Sequence, residues 1–311
     1  MTKSQSNSLP HGPTHTPPAR PATSPAADGA AGDGPRTVLV TGATGTVGRH
    51  VVAELLARGH TVRALTRDAA KARAVLPAAV GIVVGDLADP DSLTDALTDV
   101  TGLHLITFAG AAFTPLETGP RLLELARKAG VRRVTVLHGG EVTPMERAVT
   151  AAEDLDWTVV MPVEFMSNAL EWAPGIRTDD EVREPFADRL SAMVHEADIG
   201  AVTAVALTEE GHGGRSYVVT GPEVLTLHDK VAALGAARGR EVRLVELTEE
   251  QAVSRWRQEG LPDQVIDFLR EVYGNTPEAG RTVSGTVEKV TGRPARTFAA
   301  WAKEHAAAFR A

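Results

Sequence analysis

From Arg36 onward, short β-branched and aliphatic runs alternate with stretches whose apolar positions recur at helical spacing. Thr37–Thr41 reads TVLVT, a strand. The next stretch, Val47–Gly59, sets Val47, Val51, Val52, Leu55 and Leu56 on one helix face, with Gly59 as its stop. Further strands are predicted over 61–65, 81–85, 103–107, 131–137 and 157–161, and a helix ends near Gly130. Such alternation implies right-handed βαβ units, hence an α/β fold with a doubly wound, parallel sheet covered by helices on both faces.

Past Pro162 the rhythm loosens. Residues 164–214 carry no clear repeat, and then 216–221 reads as a strand, followed by a helix from about Asp229 and a strand over 242–247. Two helices are opened by Thr248, whose T-x-x-Q spacing to Gln251 is a capping box, and by Pro262. A last helix begins after Thr297 and runs through Trp301. The predicted division is therefore a first domain over 36–163 and a smaller, mainly helical substrate lobe over 164–311, with strands returning to the main domain. Trp256, Phe268 and Trp301 lie on amphipathic helices and are expected in the core, as is His104 in its apolar strand. Residues 1–35 differ from all of this. They are built from Pro, Ala, Ser, Thr and Gly, with too little apolar surface to offset ordering entropy, so a disordered tail without a secretory h-region is expected.

Composition narrows the class. There is no cysteine, which removes disulfides, thiolate nucleophiles and Cys-ligated metals. The formal charge of −8 argues against nucleic acid as a partner, and no apolar run is long enough for a membrane span. A cytoplasmic protein is expected. Its one possible metal cluster, HEAD at His195–Asp198, lacks the second His of a helical zinc site, so no metal is expected.

The most informative stretch is TVLVTGATGTVGRH, where Gly42, Gly45 and Gly48 stand three apart between a strand and a helix. A pyrophosphate must approach backbone N–H groups at a helix N-terminus, and side chains at those turns would block it. The G-x-x-G-x-x-G spacing is the short-chain dehydrogenase form of the dinucleotide fingerprint, which makes the first domain a Rossmann domain. After the second strand comes Leu65-Thr66-Arg67-Asp68, with Lys71 one turn on. Arg67 suits a 2′-phosphate through bidentate contact and Lys71 adds a point charge, which favours NADP(H) over NAD(H). Asp68 has two readings, an NAD-type acid or a cap of the following helix. After the third strand, Asp86 and Leu87 offer a carboxylate and an amide on the adenine side, unless Asp86 caps a turn.

These motifs resemble the NmrA-like family of atypical short-chain dehydrogenases. The similarity runs through TGATGTVGRHVVAELLARGHTVRALTRD, VVGDLADPDSL, GVRRVTVLHGG, LDWTVVMPVEFMSN, YVVTGPEVLTL and TGRPARTFAAWAKEH, covering about residues 36–306. It implies a Rossmann domain plus a small C-terminal lobe, with nicotinamide in the cleft between them. It also implies an NAD(P)-dependent reductase, often of quinones, or a redox sensor that binds cofactor without turning it over. Carried over by residue, Gly42, Thr44, Gly45, Thr46 and Val47 fall at the pyrophosphate, and Arg67 and Lys71 at the 2′-phosphate. Asp86 and Leu87 fall at the adenine. Thr107, Phe108, Ala109 and Gly110 would line the ribose. His138 and Gly139, then Pro162, Val163, Glu164 and Phe165, would surround the nicotinamide.

The usual proton machinery is missing. Short-chain dehydrogenases donate a proton from a Tyr assisted by a Lys four residues on. The two tyrosines here, Tyr217 and Tyr273, are followed at that spacing by Gly221 and Pro277, and His138 stands where the Ser would be. Hydride transfer then requires a strong acceptor, a conjugated quinone-like or enone-like small molecule whose reduced oxyanion is a weak base. His138 is the candidate acid, and Glu164 a candidate base or substrate-binding carboxylate. The rival readings are a His138 that only packs on cofactor and a Glu164 that is salt-bridged or solvated. Phe165, Met166, Trp172 and Phe186 are candidates for an apolar substrate wall or for plain core. At the level of function the alternatives are a non-catalytic NADP(H) sensor with a protein partner, or a cofactor-bound isomerase or cyclase; a homodimer is compatible with any of them.

Overall fold

The computed structural model of the chain describes residues 34–110 and 114–310; the tail expected over 1–35 lies, but for its last two residues, outside the described residues. Seven parallel strands form the central sheet. The first half is β1 (Thr37–Val40), α1 (Gly48–Ala57), β2 (Thr61–Thr66), α2 (Ala69–Val75) and β3 (Gly81–Val84). Then come β4 (Gly102–Ile106), a two-stranded hairpin of β5 (Phe108–Ala109) and β6 (Thr114–Pro115), α3 (Gly119–Lys128), β7 (Arg133–Leu137), α4 (Pro144–Thr150) and β8 (Asp156–Pro162). After α5 (Ala173–Asp179), β9 (Glu181–Pro185) and α6 (Glu196–Thr208), β10 (Arg215–Val219) adds the last strand.

Strand order is β10-β8-β7-β4-β1-β2-β3. The winding direction reverses between β1 and β4, which pair in parallel with Leu39 opposite Leu103. Crevices at such a reversal, beyond the strands' carboxyl ends, are where ligands enter doubly wound sheets.

The lobe adds α7 (Leu227–Arg238), β11 (Arg243–Leu247), α8 (Glu249–Gln258), α9 (Asp263–Gly274), α10 (Thr286–Thr291) and α11 (Phe298–Glu304). β11 pairs in parallel with β9, so the lobe has a small sheet of its own. Helix α7 starts at Leu227 rather than Asp229 because Thr226 and Asp229 form a reciprocal capping box one turn earlier.

Four apolar clusters hold these layers. One, around Leu103, Leu122, Leu123 and Met145, backs the α3–α4 face. A second, around Val51, Leu55, Ile199 and Val202, lies under α1 and α6. Phe298 and Trp301 centre a third in the lobe, and Trp256 anchors a small fourth between α8 and α9. His104 is fully buried, its Nδ1 2.8 Å from the Thr135 hydroxyl, and burial pulls its pKa down to about 4, so it is a neutral core histidine. Phe268 is the exception to the expected core: it is 56% exposed on the outer face of α9.

Candidate functional site

The carboxyl ends of β1, β4, β7 and β8 meet along one edge of the sheet, and the turn after β1 shapes its centre. Gly42 has a φ of +61°, and a Cβ there would lie 2.8 Å from the Ile106 side chain. At Gly48 a Cβ would fall 2.1 Å from the Gly42 carbonyl oxygen, so no other residue lets α1 start so close to the turn. Val47 stands at the N-cap of α1 without a side-chain cap. Among the described residues, the N–H groups of Thr46, Val47 and Gly48 find no acceptor. Thr44, Gly45 and Thr46 are exposed. Open amides at the start of a three-turn helix, with glycines permitting close approach, are what a pyrophosphate needs, so the residues fit that group.

At the end of β2, Asp68 accepts from the backbone N–H groups of Ala70 and Lys71 and so caps α2. Of its two readings, the cap is the one seen. Arg67 is exposed and makes no hydrogen bond or ion pair among the described residues, while Lys71 lies 3.8 Å from the Asp68 carboxylate. After β3, Asp86 Oδ1 accepts from Ala88 N–H and thereby folds its own turn. Leu87 is buried, with its carbonyl accepting from Thr118 Oγ1.

Beyond β4, Thr107 is buried and its hydroxyl has no protein partner, an orphaned donor at the reversal point. Ala109 pairs with Thr114, and Gly110 adopts a φ of +67° at the end of that strand. Phe108 lays its ring on Gly139, where a Cβ would meet the ring at 2.3 Å. This brings the tips of β4 and β7 together. His138 donates its backbone N–H to the Val160 carbonyl, and its Nδ1 lies 2.9 Å from Glu146 Oε2. Glu146 is 2% exposed and was not singled out from the sequence. The available signal was Thr143-Pro-Met-Glu146, a T-x-x-E pattern that reads as a capping box. Thr143 does accept from Glu146 N–H, but the Glu146 side chain turns to His138.

Beyond β8, Pro162 pairs with Val219, Val163 donates to the Val219 carbonyl, and Phe165 is partly exposed against the second cluster. Met166 and Trp172 belong to the lobe's core. Glu164 is not a free base. Its Oε2 accepts from Ser191 Oγ at 2.5 Å and from Lys230 Nζ at 3.1 Å, and Lys230 also donates to Ser191 Oγ at 2.7 Å. Burial works to raise the Glu164 carboxyl, but the Lys230 ammonium and the Arg189 guanidinium outweigh it and hold it below its usual value. Lys230 is fully buried; burial pulls its pKa down, and Glu164 only partly restores it. Lys230 is thus paired with Glu164, while Arg189 lies 4.0 Å from the Glu184 carboxylate. Arg189 in turn sits 4.0 Å from the ring centroid of Tyr273, whose phenol burial pushes above its ordinary value. Ser191, Lys230, Arg189 and Tyr273 come from distant parts of the chain, which no spacing pattern foretold.

The HEAD segment is structural in its contacts. His195 Nδ1 accepts from Ala197 N–H at the start of α6, Glu196 accepts from Ser167 N–H, and Asp198 accepts from Arg296 N–H. Among the described residues no group of three or more His, Asp or Glu is arranged to hold a metal, and none of the helices is long and apolar enough to cross a membrane.

Residues 42–210 match the model of a family described as NAD(P)H-binding. The chain is 38% identical over 290 residues to an NAD(P)H azoreductase of Xenophilus azovorans, covering 88% of this chain and 99% of that protein. It is 37% identical over 285 residues to a (4-alkanoyl-5-oxo-2,5-dihydrofuran-3-yl)methyl phosphate reductase of Streptomyces griseus, with coverage of 88% and 99%. Its fold matches that of an NADPH-dependent quinone oxidoreductase from Escherichia coli complexed with NADPH, with a TM-score of 0.71 at 24% identity over 86% of this chain and 99% of that one. With its glycine turn, its seven-stranded sheet and its helical lobe, the chain belongs to the NAD(P)H-binding family.

Proposed function

We propose that the protein is an NAD(P)H-dependent reductase that prefers NADP(H) and reduces a conjugated small molecule of the quinone, enone or azo class, held between sheet and lobe. The observation that carries this reading is the uncapped start of α1 behind Gly42, Gly45 and Gly48. Thr44, Thr46 and Val47 would hold the pyrophosphate there. The unpartnered Arg67 supports a 2′-phosphate beside Lys71, and the engagement of Asp68 as a helix cap removes the competing acid. Thr107, Phe108, Ala109 and Gly110 would line the ribose, and His138, Gly139, Pro162, Val163 and Phe165 the nicotinamide. Asp86 and Leu87 would border the adenine through the turn that Asp86 folds.

When bound, the reduced nicotinamide supplies a hydride. A quinone or enone acceptor needs that and one proton, without a Ser-Tyr-Lys constellation, because its reduced oxyanion is a weak base. An azo acceptor needs the same hydride and proton but leaves a more basic nitrogen anion, which makes the proton donor more important. His138, 12% exposed at the side chain at the tip of β7, supplies the proton in this reading. Glu164 holds the β8 tip against the lobe through Lys230 rather than moving a proton.

Calorimetric titration tests the cofactor preference. NADPH is expected to bind at least about tenfold more tightly than NADH, since one charge-assisted guanidinium contact contributes roughly 1.5–3 kcal/mol. Arg67→Ala should erase that difference, and equal affinities in the unmutated protein would sink it. Following NADPH absorbance against quinones, enones and azo compounds tests the reaction. If cofactor binds but no acceptor consumes it, the sensor reading replaces this one.

A further inference from the structure

We infer that Glu146 is a positioning residue that fixes the proton of His138 on Nδ1, so that the reduced acceptor is protonated from Nε2. The inference rests on the hydride-transfer reading above and adds a residue to it. Glu146 lies on α4, eight residues after His138, with its carboxylate side chain only 3% exposed. A carboxyl group so deeply buried is tolerated only with a partner, and Nδ1 of His138 at 2.9 Å is the one side-chain partner it has among the described residues.

Four features hold that contact in place. Thr143 fixes the first turn of α4 by accepting from Glu146 N–H, and Thr150 Oγ1 donates to the Glu146 carbonyl. On the other side, the His138 backbone is tied to β8 through Val160. Phe108 closes over Gly139 beside it. A carboxylate only accepts, so Nδ1 carries the hydrogen and the second ring nitrogen is the one left for chemistry. Glu164 is engaged with Lys230 and Ser191, Glu196 with Ser167 N–H and Asp198 with Arg296.

The proton balance is simple. The acceptor gains one hydride, with its electron pair, from the reduced nicotinamide, which is oxidised. The anion so formed takes H⁺ from Nε2 of the imidazolium, leaving a neutral ring whose Nδ1–H still faces Glu146. Water then returns a proton to Nε2.

The first test needs no cofactor. In the full chain labelled with ¹⁵N-histidine, at a pH where the ring is neutral, His138 should show its proton on Nδ1, its resonance being the one missing in His138→Gln. In Glu146→Leu the proton should move to Nε2, the preference of the unconstrained ring. A wild-type His138 protonated on Nε2 overturns the inference and leaves the reductase reading intact. The second test uses a series of quinones whose reduced oxyanions span a range of basicity. His138→Gln and Glu146→Leu should both lower kcat, by roughly 100-fold for the most basic anions and little for the least basic, as loss of general acid catalysis requires. A uniform loss across the series, or a change confined to KM, makes the role of Glu146 structural and overturns the inference. Absence of NADPH oxidation by the wild type with every acceptor overturns the proton-donor role together with the reductase reading, whatever the nitrogen spectrum shows.

Discussion

A methyl group at Gly48 would have to sit 2.1 Å from the carbonyl oxygen of Gly42, and neither backbone atom can yield without opening the turn. Gly48→Ala should therefore abolish NADPH binding in calorimetry. Gly59→Ala is the control: its φ of +82° lies outside the site, so it should lower stability by about 1 kcal/mol and leave binding unchanged. Glu164 and Lys230 test a different principle. Removing only the cation, in Lys230→Met, leaves a buried carboxylate with Ser191 and Arg189, and should cost about 3–5 kcal/mol in urea unfolding; Glu164→Gln on top should restore part of it. At this scale the sequence was legible where conformation follows local spacing, as for the tight turn of the three glycines and the Thr248 capping box. Glu146 and Lys230 were not, because each meets its partner through tertiary contact and has an ordinary helical neighbourhood in the sequence.

Helix α6 shows why one stretch of 50 residues looked patternless. It is apolar all round, and twelve of its thirteen residues are buried, Ala197 being the exception. A helix covered on every side has no polar face, so it lacks the 3.6-residue alternation by which helices are read. Gly200 brings it against α1, where a Cβ would lie 2.7 Å from the His50 backbone. Gly200→Ala should therefore overpack the contact and lower stability by roughly 1–3 kcal/mol, visible as a lower thermal midpoint. α8, by contrast, was legible from its start. Thr248 accepts from Gln251 N–H, and the Gln251 side chain accepts from Thr248 N–H, as T-x-x-Q predicts.

Across the whole molecule, burial and charge set a common pH response. His104, His50, His60 and His212 all have pKa values lowered chiefly by burial. The unfolded chain therefore binds more protons than the folded one once pH drops below about 6.5, the ordinary histidine value, and stability falls with it. His104 alone, lowered to about 4, contributes a loss on the order of 3 kcal/mol between those limits. Glu164, held low by its cations, adds a second loss as pH falls through its lowered folded value. Urea midpoints should thus decline steadily on the acid side, and His104→Gln should flatten the part between pH 6.5 and 4. A profile unchanged by that substitution would contradict the assignment. The lobe is tied to the sheet by Asp198, which grips Arg296, and by His195, whose Nε2 lies 3.2 Å from Glu304.

The sequence by itself determined the alternation of strand and helix, the glycine turn and the caps, because each depends on residues within a few positions of one another. Strand limits moved by only a residue or two, and the parallel sheet followed from the alternation. Only the tertiary structure decided that α6 returns beneath α1 and that Glu164 belongs to an ion pair. It alone set Glu146 against His138. Burial and the convergence of groups from separate elements decide how a side chain titrates and what it can bind, and neither is written in local spacing.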